Sequence, residues 1–264
     1  MDSVCILGLG EVGLPAAEEC LKHNLNVYGF DLDSNTVDKA CLRGITASNS
    51  WEDLPAVDIY EICVPTSAVF DASWLIAQKS LPHNLVAIES TVIPLTSMKI
   101  YKGVFNEGVN LVHVPHRFWI EDTEVHGTNQ LRVIGGVNQQ SLKMGYTFFN
   151  DVLKIPLHIV KPIEIAELCK IAENSYRFIN IAYAENLKLI CHELKLDFDL
   201  VKEACNTKWN TEILEARDGI FGHCIPSAIQ NLSSITSFNN FLRAAMSLDQ
   251  IYKNWREKQS RSSL

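Results

Sequence analysis

The chain has 264 residues, enough for one large domain or two modest ones, each with its own core. With 47% hydrophobic and 20% charged residues and a mean hydropathy near zero, its make-up is that of an ordinary globular protein. The net charge of −8, with Lys and Arg scattered apart from a short basic stretch between Arg256 and Arg261, excludes a broad nucleic-acid surface.

The first element is a short apolar strand, Val4-Cys5-Ile6-Leu7, followed by Gly8-Leu9-Gly10-Glu11-Val12-Gly13 and a helical stretch from Leu14 to Leu21. The first glycine permits a tight turn, the second lets a pyrophosphate approach the backbone, and the third lets helix and strand pack closely. A second strand, Asn26 to Phe30, ends at Asp31, at the spacing of an acid that binds a ribose 2′-OH. Asp31 would repel a 2′-phosphate, and positions 32 and 33 hold Leu and Asp rather than Arg, so the expected cofactor is NAD and not NADP.

Strand candidates continue at 58–64, 85–89, 110–115 and 131–135, interleaved with helical stretches near 34–43, 69–79, 95–103 and 139–153. This alternation predicts an α/β Rossmann-type doubly wound sheet with right-handed crossovers. Ligands of such sheets sit at the carboxyl ends of the strands. Val64, Pro65 and Thr66, together with Glu89 and Ser90, are therefore expected to face the cofactor beside the glycine turn; plain turn chemistry explains their composition equally well.

Pro156 and Pro162 bracket a junction, which sets the expected domains at 1–156 (NAD-binding) and 157–264 (helical, all-α). The longest helical signal follows, at 163–194, with Ile165, Leu168, Cys169, Ala172, Tyr176, Ile179, Tyr183, Leu187 and Ile190 at helical spacing. A helix of about 30 residues spans about 45 Å, longer than a small domain needs, so a homodimer through this helix is expected. Residues 198–206 read as another helix, 207–223 as polar and irregular, and Gly222-His223-Cys224-Ile225-Pro226 leads into a helical C-terminal region.

No run reaches the roughly 18 apolar residues of a membrane span, so no membrane partner is expected. The N-terminus enters a strand at once without a basic leader, and the eight cysteines form no C-x-x-C pair. A cytoplasmic chain with reduced thiols and no metal site is the reading.

Lys170 and Asn174 project from one face of the long helix, one turn apart. Such a pair commonly decorates a surface; beside a dinucleotide site, an ammonium and an amide can hold the oxygen of an alcohol under oxidation. Cys224 lies in a Gly-rich irregular segment, unlike the cysteines inside apolar runs. It is either a buried loop cysteine or an accessible nucleophile.

The chain resembles the UDP-glucose/GDP-mannose dehydrogenase family, and most the UDP-N-acetylmannosamine dehydrogenase branch. The resemblance rests on Gly8 to Pro15, Ile62 to Thr66, Glu89 to Val92, Arg132 to Gly136, Ala166 to Asn174, Asn180 to Ala182 with Glu185-Asn186, and Gly222 to Pro226. It implies an NAD-dependent enzyme that oxidises the C6 alcohol of a nucleotide sugar to a carboxylate. It also implies that Lys170 and Asn174 hold the reacting oxygen, that Thr91 helps place a water, and that Cys224 captures the aldehyde as a thiohemiacetal and then a thioester.

Four departures from the family pattern stand out. The family's Pro-Glu-Arg is Pro115-His116-Arg117, which makes His116 the candidate base for thioester hydrolysis; the acid two residues after the motif's proline is Ala228; and a loop glycine is Phe221. The fourth is the family's third domain, which is expected to be absent because the sequence stops about where the central domain ends. Two other readings remain: a two-electron dehydrogenase of the 3-hydroxyacid or 6-phosphogluconate type without covalent catalysis, and a non-catalytic NAD-binding relative.

Overall fold

The computed structural model describes residues 2–119, 122–124 and 126–262. They divide into two compact units, between Cys169 and Lys170.

The first unit is built on an eight-stranded sheet. Its strands are β1 (Ser3–Leu7), β2 (Asn26–Phe30), β3 (Thr46–Ser48), β4 (Ile59–Ile62), β5 (Leu85–Ile88), β6 (Asn110–His113), β7 (Arg132–Gly136) and β8 (Leu157–Ile159), in the order β3-β2-β1-β4-β5-β6-β7-β8. The first six strands run parallel, with the order reversing between β1 and β4. Such a reversal opens a crevice at the carboxyl ends of the two strands, where helices leave to opposite faces.

Short apolar runs become central strands because both faces are covered. Val4, Ile6, Ile59, Leu85 and Ala87 pack beneath α1 (Gly13–Lys22) and α5 (Gln139–Tyr146), in a layer with Ala17, Cys20 and Leu142. Cys5, Leu7, Tyr60, Ile62, Val86 and Ile88 face the opposite layer, which includes residues of α3 (Val69–Lys79) and α4 (Thr96–Gly103). Helix α2 (Ser34–Leu42) starts at Asp33, whose carboxylate accepts from the N–H of Asn35. Asp33 thus supplies the cap that an exposed helix start requires.

Three features depart from the expected pattern. β7 is antiparallel to β6, and the described residues of the 114–131 connection form no crossover helix. β3 and β8 are three-residue edge strands, too short to leave a periodic signal. β8 pairs with β7, and Ile163 and Ala166 lie against Gly135, so residues 157–169 belong with the sheet and not with the helical part.

The second unit comprises the remainder of α6 (Ile163–Leu194) with α7 (Phe198–Asn206), α8 (Cys224–Ser234) and α9 (Asn240–Ser262). Phe178 and Ala182 of α6 pack with Ile220, Ile229, Leu242 and Ala245, and Ala184 and Cys191 with Phe198, Ile213, Ala216 and Tyr252. No helix among the described residues is long and apolar enough to cross a membrane. Arg256 is no loose basic tail: within α9 it pairs with Asp218.

One group in this second core is costly. Glu185 is fully buried with neither carboxylate oxygen hydrogen-bonded, and burial, then the nearby charge of Asp249, pushes its pKa up to about 8. The native state therefore holds a proton that the unfolded chain releases above the ordinary value of 4.5, so stability falls as pH rises from there to about 8. Glu185→Gln should raise Tm at pH 8.5 by roughly 3 °C or more and change it little near pH 4.5, measured by calorimetry.

Candidate active site

In the first unit the crevice is bounded by the glycine turn. Gly8 has φ +89°, and a Cβ on it would lie 2.5 Å from the carbonyl oxygen of Cys63. A Cβ on Gly13 would fall 1.8 Å from the carbonyl oxygen of Gly8, so α1 can begin directly over β1 only without a side chain there. Gly10 is different. Nothing lies within 4 Å of the place its Cβ would take, and its backbone is exposed.

No side chain caps the start of α1, where Val12 is the capping residue. The Leu14 N–H is bonded to the Gly10 carbonyl and Pro15 has no N–H, so the groups that suit a pyrophosphate are the N–H groups of the turn leading into the helix, beside the open Gly10. Glu11 is exposed and Val12 half-buried, whereas the Leu9 side chain is buried over Gly29, where a Cβ would clash with it at 2.8 Å. Leu9 therefore meets a ligand only through its backbone.

Asp31 stands at the end of β2 with both oxygens oriented. Oδ2 accepts from the Leu9 N–H at 2.8 Å and Oδ1 from the Asp33 N–H at 2.9 Å. Each oxygen keeps a lone pair for a hydroxyl donor. These donors, the open glycine and the oriented acid fit a dinucleotide carrying a free ribose 2′-OH.

The ends of β4 and β5 are stitched together. The Ser90 hydroxyl donates to the carbonyls of Val64 at 2.6 Å and Ile62 at 3.0 Å, and the Thr66 hydroxyl donates to the Thr91 carbonyl at 2.7 Å. Pro65 and Thr66 are exposed, and Val64 and Thr91 half-buried. Ser90 thus spends its hydroxyl on the backbone, and Thr66 positions the segment that carries Thr91.

Glu89 does not face outward as expected. It is 3% exposed and sits between Arg132, 3.4 Å away, and His116, with the Cys63 thiol 3.9 Å away. Arg132 also donates to the Thr128 carbonyl, and the Thr128 hydroxyl donates to Glu19 on α1, which anchors the 115–131 loop. Glu61, on β4 two residues before Cys63, completes this buried group.

Burial raises the pKa of Glu89, but the charges of His116 and Arg132 outweigh it and hold the carboxyl below its ordinary value. Burial first, and then the charge of Glu89, pushes Glu61 well above its own. One proton therefore stays on Glu61 and is shared towards an ionised Glu89. The thiols of Cys20 and Cys63 are pushed up by burial and by these acids, which makes them inert as nucleophiles. Neither Glu61 nor the cluster carried a local signal, since an acid inside β4 looks like an interruption of an apolar run.

In the second unit, Lys170 and Asn174 are half-buried on successive turns of α6. Cys224 is exposed and is not in a loop: it is the first residue of α8, at the positive end of that helix's dipole. Ile220 and Ile225, on either side of it, pack in one core with Phe178, one turn after Asn174. The segment that carries the thiol thus lies against the part of α6 next to the amide. Ala228 is buried in α8, where the family pattern has an acid.

Comparison with known proteins agrees with this geometry. Residues 3–116 match the family model described as the NAD binding domain of 6-phosphogluconate dehydrogenase, so the first unit holds an NAD-binding Rossmann-type domain. Residues 164–250 match that of the UDP-glucose/GDP-mannose dehydrogenase family, central domain. The UDP-N-acetyl-D-mannosamine dehydrogenase of Methanococcus vannielii is 30% identical over 93% of this chain, which spans 64% of that protein. The UDP-N-acetyl-D-glucosamine 6-dehydrogenase of Pseudomonas aeruginosa is 27% identical, over 84% of this chain and 60% of its own length. The solved UDP-D-ManNAc dehydrogenase of Pyrococcus horikoshii shares the fold with a TM-score of 0.86 at 23% identity, over 95% of this chain and 68% of its own. The chain thus spans just under two thirds of the curated relatives it matches. Residues 164–250 thus match the central domain of the UDP-glucose/GDP-mannose dehydrogenase family, behind a nucleotide-binding region matched over residues 3–116.

Proposed function

We propose that this chain is an NAD-dependent dehydrogenase that oxidises the C6 alcohol of a nucleotide sugar to a carboxylate through a covalent adduct on Cys224. The observation that carries the reading is the exposed thiol at the start of α8, beside the α6 turn that follows Asn174, in a chain whose other unit has an open glycine turn and an oriented Asp31.

The residues that would hold NAD are the turn from Gly8 to Gly13, Asp31, and the strand-end segment Val64, Pro65 and Thr66, with Glu89 and Ser90 behind them as support. When bound, NAD supplies the acceptor for the hydride that leaves the substrate carbon at each oxidation. In this reading Lys170 and Asn174 hydrogen-bond the reacting oxygen and stabilise its negative charge as its proton leaves. The Cys224 thiolate adds to the aldehyde carbon, and the carbonyl oxygen takes up a proton, giving a thiohemiacetal whose carbon again carries a removable hydride. Loss of that hydride and the hydroxyl proton leaves a thioester. Water, placed with help from Thr91, then expels the thiolate and leaves the carboxylate.

The neutral form of His116 is the candidate acceptor for the water's proton, with Glu89 orienting its ring and stabilising the imidazolium that forms. Its ring nitrogens are shielded from bulk solvent, so the water it serves is one admitted with the substrate. The relatives named above act on UDP-linked N-acetylhexosamines, which supports that substrate class here. Eight free cysteines support a reducing, cytoplasmic setting. An exposed apolar stripe on α6, including Ile165, Leu168, Tyr176, Tyr183 and Ile190, supports a homodimer through that helix.

Three measurements test these proposals. Wild-type protein should give two NADH per UDP-sugar consumed, and Cys224→Ser should yield no carboxylate; a carboxylate formed by the serine variant would refute the covalent route. Asp31→Ala should weaken NAD binding by about tenfold and narrow its preference over NADP, since it removes the ribose acceptor and the repelling charge together. Equal or tighter NADP binding by the wild type would overturn the cofactor assignment. In sedimentation, Tyr176→Asp with Tyr183→Asp should convert a dimer to a monomer, whereas a wild-type monomer would remove the role given to α6.

A further inference from the structure

The segment that delivers Cys224 has no regular structure between Ala216 and His223, yet nearly every turn of it is gripped. The Tyr252 hydroxyl donates to the Arg217 carbonyl at 2.6 Å, Lys188 donates to the Ala216 carbonyl at 3.1 Å, and Arg256 pairs with Asp218. At Ile220 the grip is complete: its N–H donates to Asp249 Oδ1 at 2.8 Å and its carbonyl accepts from Lys253 Nζ at 2.6 Å. Those two side chains, one turn apart on α9, also pair with each other at 2.7 Å. Lys253 lies over the ring of Phe221, 4.6 Å from its centre, and a Cβ on Gly219 would fall 2.5 Å from the Lys253 stem.

A buried ion pair adds little stability over an apolar pair of the same size, and its best-attested use is to specify one arrangement. Here both charges are spent on the two backbone groups of a single residue, which lie in successive peptide units. Asp249 is buried, and Glu185 lies next to the pair without a hydrogen bond of its own, so the pair is placed in a costly setting where it supplies the partners that the Ile220 backbone lacks. Four residues beyond Ile220 stands Cys224, reached through Gly222 at φ +83°. Fixing both polar groups of Ile220 fixes the rotation of the chain entering that turn, and with it the first turn of α8.

We propose that the Asp249–Lys253 pair of α9 is a positioning device for Cys224, holding the start of α8 in the one register that presents the thiol at the helix terminus. This rests on reading Cys224 as the nucleophile, but its test does not depend on turnover. An exposed thiol at the positive end of α8 reacts with an alkylating agent faster than one on a frayed terminus.

Iodoacetamide labelling, resolved by peptide mass spectrometry, reads the rate at Cys224 with Cys41, exposed on the first unit, as the internal control. Lys253→Met and Asp249→Asn should each slow Cys224 alkylation by about fivefold or more relative to Cys41, and Lys253→Arg should restore most of it. In turnover, the same variants should lower kcat for carboxylate formation while leaving KM for NAD unchanged. Folded variants with unchanged Cys224 labelling would overturn the proposal; Asp249→Asn, which keeps an acceptor for the Ile220 N–H, guards against loss of fold in the lysine variant. Failure of the catalytic reading appears separately, as a Cys224→Ser protein that still makes carboxylate.

Discussion

The close approach of backbone to backbone at the glycine turn is the constraint on which the nucleotide-binding unit depends. α1 rises from the end of β1 because Gly13 lies directly on the Gly8 carbonyl, and β1 and β4 can part at their ends because Gly8 lies against Cys63. Both contacts forbid a Cβ. Gly10 faces open space instead, so the middle glycine leaves room where the other two remove it. The same geometry leaves the start of α1 without a side-chain cap, and the arrangement that permits the fold is also what attracts phosphate.

Behind that crevice, the sheet carries a buried charge group that an apolar layer would not require. Glu89 and Arg132 neutralise one another between the end of β5 and the start of β7, with His116 against the same carboxylate, while Glu61 keeps its proton. Removing one partner would leave an uncompensated charge in the interior, so these residues bind the connection to the parallel part of the sheet. Arg132 takes the main share, reaching both Glu89 and the Thr128 carbonyl. β7 enters the sheet antiparallel, and with no crossover helix among the described residues of the connection this ionic contact ties it to the parallel strands.

The helical unit solves a comparable problem at its irregular segment. An extended stretch without a ladder must satisfy its backbone groups with side chains. α6 supplies Lys188, and α9 supplies Asp249, Tyr252, Lys253 and Arg256. The exposed thiol at the head of α8 is thus reached by a chain whose path is set by α9, a helix with no part in the motif around Cys224.

Much of the first unit was legible in the residue order alone. The strand and helix alternation, the glycine spacing and the acid after β2 are local patterns, because burial on both faces selects apolar runs and a tight turn selects glycine within a few residues. The family resemblance singled out Lys170, Asn174 and Cys224 as candidates, and their roles belong to the proposed mechanism. What the order could not express was pairing between distant segments: Glu89 turned inward to Arg132, the addition of β8 to the sheet, and Asp249 and Lys253 on the Ile220 backbone. These contacts join residues tens of positions apart, and their partners have ordinary surroundings in the chain. Local periodicity therefore determined which elements form and where the cofactor turn lies, whereas the direction each charged side chain takes, and the start of α8 at the cysteine itself, were decided only when packing chose the partners.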